Sequence, residues 1–230
     1  MSVTVAVVLC AGSGVRAGRP VNKVFLQVAG RSILERSVRP FYDHPAVHEV
    51  FVVAAPSEIG ACSDILRRAG IEVAAVLAGG VTRHQSESHA VDHLSPRIEA
   101  GDVDMVLIHD GARPLFDPAG IGDLIAAARR SGGAISALPA TEDLLVASGR
   151  EVVGWLARDR CWRALTPQVF RADLLLEAFR AAARDGFGGT DTASTVERIG
   201  GRVEVVSGDP RNLKVTFPED FVTAERLASE

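Results

Sequence analysis

The stretch Val3-Thr4-Val5-Ala6-Val7-Val8-Leu9, followed at once by Cys10-Ala11-Gly12-Ser13-Gly14-Val15-Arg16-Ala17-Gly18-Arg19-Pro20, decides the fold. Its first half is apolar and rich in β-branched residues, without a sustained polar alternation. That pattern belongs to a central parallel strand covered on both faces. Its second half is a run of small residues. Small residues after a strand let the backbone approach a ligand closely, and consecutive N–H groups can cradle phosphate oxygens. Ligands in open α/β sheets bind at the carboxyl ends of strands, where this loop falls. The glycines alone would also suit an ordinary tight turn.

Outward from that stretch, short apolar runs alternate with helical patterns. Strands are expected at 3–9, 49–54, 73–77, 105–109, 134–138 and 203–206. Helices are expected at 32–42, 57–69, 82–93, 119–130, 172–185, 191–199 and 218–227. Thr82 with Gln85 reads as a capping box, and Gly70 as a helix stop. This β-α alternation predicts an α/β fold: a mostly parallel sheet with helices on both faces. Between residues 138 and 162 the rhythm breaks. LLVA, the turn-like SGR and EVVGWLA read as an inserted β-hairpin. A hairpin alone is marginal in water, so it needs something to pack on, and a second copy of the chain is a candidate. One domain over 1–230 is expected, with an arm at about 139–162.

Composition narrows the function classes. The 230 residues are 47% hydrophobic and carry a formal net charge of −4. Disorder as the main state is excluded. A general nucleic-acid binder would show a basic excess, so none is expected. No apolar run reaches the length of a membrane helix, and no basic residue precedes the first run as in a secretory signal. Cys10, Cys62 and Cys161 are odd in number and form no CxxC pair, which reads as reduced thiols in a cytoplasmic protein.

Of the 25 basic residues only Lys23 and Lys214 are lysines. Codon bias explains the arginine excess; a need for a compact ammonium would explain the two survivors. Three nucleotide motifs compete for the glycine-rich loop. A Walker loop lacks its GK[ST]. A dinucleotide fingerprint fits loosely at Gly12, Gly14 and Ala17, but Pro20 would stop its helix. The third is a loop wrapped around a nucleoside triphosphate. Arg16, Arg19 and Lys23 supply its charge, although the same residues would also serve a solvated basic surface. If the chain end near Lys214 packs beside the first strand, both ammonium groups face one phosphate. Positioning and charge stabilisation are what nucleotidyl transfer asks of a protein.

LCAGSGVR, NKVFLQVAGRSILE, AGGxxR, HDGARP, ALTPQVF, GTDTAS and NLKVTFPEDF follow one another over nearly the whole chain. With these motifs the sequence resembles the 2-C-methyl-D-erythritol 4-phosphate cytidylyltransferases. Ribitol-5-phosphate cytidylyltransferases share most of the pattern. The resemblance implies a Rossmann-like (GT-A-like) nucleotidyltransferase domain with a β-arm that forms a homodimer. It implies transfer of CMP from CTP to 2-C-methyl-D-erythritol 4-phosphate, by in-line attack of the acceptor phosphate on the α-phosphorus with release of pyrophosphate and with Mg²⁺ as cofactor; transfer to another polyol phosphate such as ribitol 5-phosphate is the alternative.

By the same resemblance, Ala11, Gly12, Ser13 and Gly14 would hold CTP through the backbone, and Gly80 and Ser86 would lie near the cytosine. Arg16, Lys23 and Lys214 would carry catalysis by holding phosphates. Asp110 would be the metal ligand, in keeping with the hard, oxygen-seeking chemistry of Mg²⁺. Arg113, Asp143, Arg158, Thr166 and Thr190 would surround the acceptor, with Arg158 on the arm reaching a partner's site. Other readings stand beside these: a non-catalytic nucleotide-binding subunit, a dehydrogenase, and for Thr190-Asp191 a plain helix cap.

The chain departs from the family pattern in three places. Cys10 stands in a loop that usually reads Pro-Ala-Ala-Gly. Val81 stands where an acidic or polar residue is common. Glu142-Asp143-Leu144-Leu145 replaces an Asp-Thr-containing run. A carboxylate at Asp143 would repel a phosphate unless an arginine paired it; a shift of two residues puts Thr141 there instead.

Overall fold

β1 (Val3–Leu9) sends Ala6 and Val8 into one apolar core and Val5 and Val7 into another. Successive side chains of a strand point to opposite faces, so an uninterrupted apolar run needs cover on both. The structure is a computed structural model and describes residues 3–12 and 22–230. After β1 come the short strands β2 (Gln27–Val28) and β3 (Arg31–Ser32), then α1 (Ile33–Tyr42), β4 (Glu49–Ala54), α2 (Ile59–Arg68) and β5 (Ala75–Ala78). Next are α3 (Arg83–Glu99), β6 (Val103–Asp110), α4 (Ile121–Ser131) and β7 (Gly132–Pro139). The arm strands β8 (Leu144–Ser148) and β9 (Glu151–Leu156) precede β10 (Trp162–Arg171), α5 (Ala172–Asp185), α6 (Thr192–Glu197), β11 (Arg202–Ser207) and α7 (Pro218–Ser229).

The main sheet has seven strands in the order β11-β7-β10-β6-β1-β4-β5. β6, β1, β4 and β5 pair in parallel, as do β7 and β11. β10 is antiparallel to both its neighbours. The expected mostly parallel sheet with helices on both faces is therefore present. Leu34, Val38 and Phe41 of α1, Leu66 of α2 and Leu124 of α4 cover one face. Ala90 and Leu94 of α3, Leu175 and Phe179 of α5 and Val196 of α6 cover the other. A smaller core joins Val28 and Ile33 to Val215 and to Ala224 of α7.

β10 was not among the expected strands. Pro167 interrupts its run, and proline lacks the N–H a central ladder uses. The sheet accepts it by a register shift between Ala164 and Gln168. Helix boundaries also differ. Pro56 starts a 3-10 turn, so α2 begins at Ile59 rather than two residues earlier. α3 runs past Pro96 to Glu99, because Leu94 and Ile98 continue its buried stripe. Thr82 and Gln85 form the expected capping box, and Gly70 takes φ +68° just beyond α2.

β8 and β9 form their own two-stranded sheet. Its large apolar side chains lie open, with Trp155 67% exposed and Val153 58%. Among the described residues no helix is long and apolar enough to cross a membrane.

Candidate active site

The carboxyl ends of β1, β4, β5 and β6 lie along one edge of the sheet, and a cleft of about 550 Å³ opens there. Ala11, Gly12, Lys23, Gly80, Ser86, Asp110 and Lys214 all line it. Backbone bonds set its floor: Cys10 N–H donates to Val53 O at 2.7 Å and Gly111 N–H to Leu9 O at 2.9 Å. A Cβ on Gly111 would come within 2.3 Å of Cys10 Sγ. The glycine thus makes room for the departing residue Cys10. Burial pushes the Cys10 thiol well above its ordinary pKa, so it stays protonated. A Cβ on Gly79 would meet Ala11 Cβ at 2.4 Å, so only glycine lets these two loops touch.

Lys23 stands on a 3-10 turn that Asn22 caps. Asn22 Nδ2 also donates to Cys10 O at 3.2 Å and to Glu58 Oε2 at 2.7 Å, which pins the turn to the sheet edge. Lys23 Nζ donates to Val215 O at 2.7 Å. Lys214 Nζ donates to Asp110 Oδ2 at 2.8 Å. The segment carrying Lys214 is strapped across the strand ends by Arg113 Nη1 to Asn212 O, 2.7 Å, Asn212 Nδ2 to Thr166 O, 2.8 Å, and Val215 N–H to Ala112 O, 2.8 Å.

Asp110 is the electrostatic centre. Arg83 Nε lies 3.3 Å from Oδ1, and Arg113 Nε lies 3.6 Å from Oδ2. Burial alone would raise the pKa of this carboxyl, but Lys214, Arg83 and Arg113 outweigh it and hold it well below the carboxylate range. Thr166 Oγ1 accepts the Asp110 N–H at 3.0 Å and pairs with His109 Nδ1 at 3.1 Å. Burial pushes His109 down to about 3, so the ring is neutral. Phe41 and Phe116 pack on that ring, with centroids 4.9 and 5.3 Å away.

At the start of α3, Ser86 is buried. It accepts the Gly80 N–H at 3.1 Å and donates to Thr82 O at 3.0 Å. Val81 is 96% exposed, and its N–H is held by Gln85 Oε1 at 2.8 Å.

The expected acceptor residues divide into two groups. Arg113 and Thr166 are buried inside the Asp110 cluster. Thr190 is exposed and precedes Asp191, the N-cap of α6. Asp143 and Arg158 are surface residues, and Arg158 Nη1 lies 3.5 Å from Asp143 Oδ1. Ser13, Gly14 and Arg16 lie outside the described residues.

Two site residues were absent from the sequence-based set. Arg83, the last position of AGGxxR, binds Asp110 and Glu87. Its i,i+4 spacing to Glu87 was the available signal. Gln168 ties the TPQ and GTDTAS segments, donating to Asp191 Oδ2 at 2.6 Å and accepting from Ala193 N–H at 3.0 Å. Among the described residues no group of three or more His, Cys, Asp or Glu could hold a metal ion.

The family model for IspD, 2-C-methyl-D-erythritol 4-phosphate cytidylyltransferase, matches residues 4–230. The curated enzyme of that name from Geobacter metallireducens is 37% identical over 227 residues, covering 98% of this chain and 97% of that protein. The one from Geobacillus kaustophilus is 38% identical over 223 residues, covering 96% and 95%. The crystal structure of 2-C-methyl-D-erythritol 4-phosphate cytidylyltransferase from Thermus thermophilus is similar at TM-score 0.74 and 32% identity, over 97% of this chain and 98% of that one. A synthase structure from Anaerococcus prevotii superposes at TM-score 0.85 over 100% and 97% of the two chains; at 24% identity it shows the fold alone. The chain belongs to the 2-C-methyl-D-erythritol 4-phosphate cytidylyltransferase family.

Proposed function

We propose that this cleft transfers CMP from CTP to 2-C-methyl-D-erythritol 4-phosphate and releases pyrophosphate, as the family does. The observation that carries the reading is the meeting of Lys23 with the Lys214–Val215 segment at the strand ends. The acceptor phosphate is already an anionic nucleophile, so no covalent enzyme intermediate is needed. Orientation and charge neutralisation supply the rate. Lys23 and Lys214, with Arg16, would hold the phosphates as charge builds on the leaving group. Ala11, Gly12, Ser13 and Gly14 would hold the nucleotide by backbone N–H groups, and Gly80 and Ser86 would shape the base pocket.

Asp110 fits Mg²⁺ in one specific sense. It is a single carboxylate facing the cleft, and Mg²⁺ commonly takes one or two carboxylates with the rest of its shell from water and substrate phosphates. Bound there, the ion would neutralise charge on the triphosphate. Lys214 now pairs with the same carboxylate, which leaves the lysine close to any phosphate the metal holds.

For the acceptor, Arg158 would bind its phosphate, and Arg113, Thr166 and Thr190 would hold the wall behind it. Asp143 is already paired with Arg158, so the uncharged hydroxyl of Thr141 suits an anion better. The arm exposes Leu145, Val146, Val152, Val153, Trp155 and Leu156, spread over the two faces of the hairpin. Exposed apolar residues on a two-stranded hairpin call for cover, and we assign that cover to a second copy of the chain. The cysteines are free thiols, which suits a reducing cytoplasm.

The test is pyrophosphate release from purified protein with Mg²⁺. Release with CTP and 2-C-methyl-D-erythritol 4-phosphate, and weak release with ribitol 5-phosphate or with ATP, is expected. Faster turnover of ribitol 5-phosphate would move the acceptor assignment.

A further inference from the structure

Glu87 lies on α3, one turn past Arg83, outside every motif read in the sequence. Its side chain is fully buried, at 0% exposure. Oε1 accepts from Arg83 Nη1 and from the Thr192 hydroxyl, both at 2.5 Å. Oε2 is buried with no hydrogen-bond partner among the described residues. Arg83 in turn reaches Asp110 Oδ1 through Nε at 3.3 Å and Thr192 Oγ1 through Nη1 at 3.3 Å.

A buried carboxylate is costly to keep, and well-packed apolar groups of similar volume often replace such pairs without loss. Burial pushes Glu87 up to about 7, with Arg83 and the Thr192 hydroxyl pulling the other way. What distinguishes this carboxylate is that it ties the start of α3, which lines the cleft, to the start of α6. α3 begins at the Gly80–Thr82 turn on the base side. Thr192 opens α6, two residues after Thr190 on the acceptor side. Gln168 already holds Asp191 and the Ala193 N–H from the sheet. Glu87 is the matching tie from the helix layer.

We propose that Glu87 is a positioning residue: through Arg83 and Thr192 it locks the Asp110 carboxylate of the cleft and the α6 turn at one fixed spacing. This rests on CMP transfer occurring in that cleft. It acts through its neighbours and touches no substrate. A merely structural Glu87 would change stability on neutralisation and leave turnover alone.

The experiment compares full-length wild type, Glu87→Gln, Arg83→Lys and the double variant. It uses steady-state pyrophosphate release, calorimetric binding of CTP with Mg²⁺, and thermal unfolding. Glu87→Gln should lower kcat about tenfold or more, the usual effect of removing an outer supporting partner. Its KM and Kd for CTP should stay within about twofold, since ground-state binding is intact. The double variant should lose no more than Arg83→Lys alone, because both changes break one chain of contacts. Unchanged kcat in folded Glu87→Gln, or losses that multiply in the double variant, overturns the proposal. Should Glu87→Gln fail to fold, Thr192→Val cuts the same tie from the other end; it must reproduce the kcat loss at unchanged KM for CTP, and normal kcat there overturns the proposal. Failure of the functional reading looks different: wild type itself would release no pyrophosphate, and both assignments would fall.

Discussion

Lys23 donates its ammonium to the carbonyl of Val215, the residue beside Lys214, across 192 positions of sequence at 2.7 Å. The only two lysines of the chain therefore stand at one place. An ammonium concentrates its charge in a compact group, whereas a guanidinium spreads it over a planar fork. Replacing Lys23 by alanine should cut turnover about 10²–10³-fold, the scale of one lost transition-state donor. Lys214→Arg should recover little of the activity lost in Lys214→Ala. Pyrophosphate release beside melting curves checks this; near-normal turnover in Lys23→Ala removes that residue from the mechanism.

Gly111 has no space for a side chain. A methyl there would lie 2.3 Å from Cys10 Sγ and 2.9 Å from Leu9 O. Gly111→Ala should destabilise the fold by about 1–3 kcal/mol, as overpacking does, and should lower activity by displacing the neighbouring Asp110. Gly120→Ala is the control, since among the described residues nothing lies within 4 Å of a Cβ placed there. Chemical denaturation of the two variants should separate them; equal stabilities would contradict the packing.

Asp143 and Arg158 form an exposed pair, 75% and 55% accessible. Such pairs contribute about 0–1 kcal/mol, so Asp143→Asn should leave the melting temperature nearly unchanged. Arg158→Ala should raise the KM for the acceptor about tenfold or more, because a hydrogen bond to a charged group is worth roughly 1.5–3 kcal/mol. The KM for CTP should stay put. An acceptor KM indifferent to Arg158 would take the arm out of the site.

Trp155 is 67% exposed on the arm. If a second copy covers it, Trp155→Glu should convert a dimer to monomers in sedimentation equilibrium at micromolar protein. A wild-type monomer under the same conditions would remove the dimer assignment.

Burial raises Glu87 from its ordinary 4.5 to about 7. Between those values the folded chain holds a proton that the unfolded chain has released. The folded state then binds more protons, so stability contributed by this group falls as pH rises across the window. Glu87→Gln should remove that part of the slope. Urea unfolding from pH 4.5 to 7 measures it, and identical slopes in wild type and variant would exclude a titrating Glu87.

Much of the fold was readable because it depends on local pattern. The apolar run of β1, the capping box at Thr82 and the turn residues of the arm each state their structure within a few positions. β10 was hidden by Pro167, whose place in a central strand depends on the register shift its neighbours allow. Arg83 stood in a motif, but its partner Asp110 lies 27 residues away, and periodicity says nothing about that distance.

Residue order along the chain determined the alternating strands and helices, the glycine-rich loop at the first strand's end, the scarcity of lysine and the family. These follow from side-chain size, branching and charge over short spans. Only the tertiary structure decided that Lys23 meets the Lys214 segment, that Asp143 lies beside Arg158, and that Glu87 is sealed between Arg83 and Thr192. Charges interact through space with a strength set by distance and burial, and both quantities exist only once the sheet has brought distant strand ends to one edge.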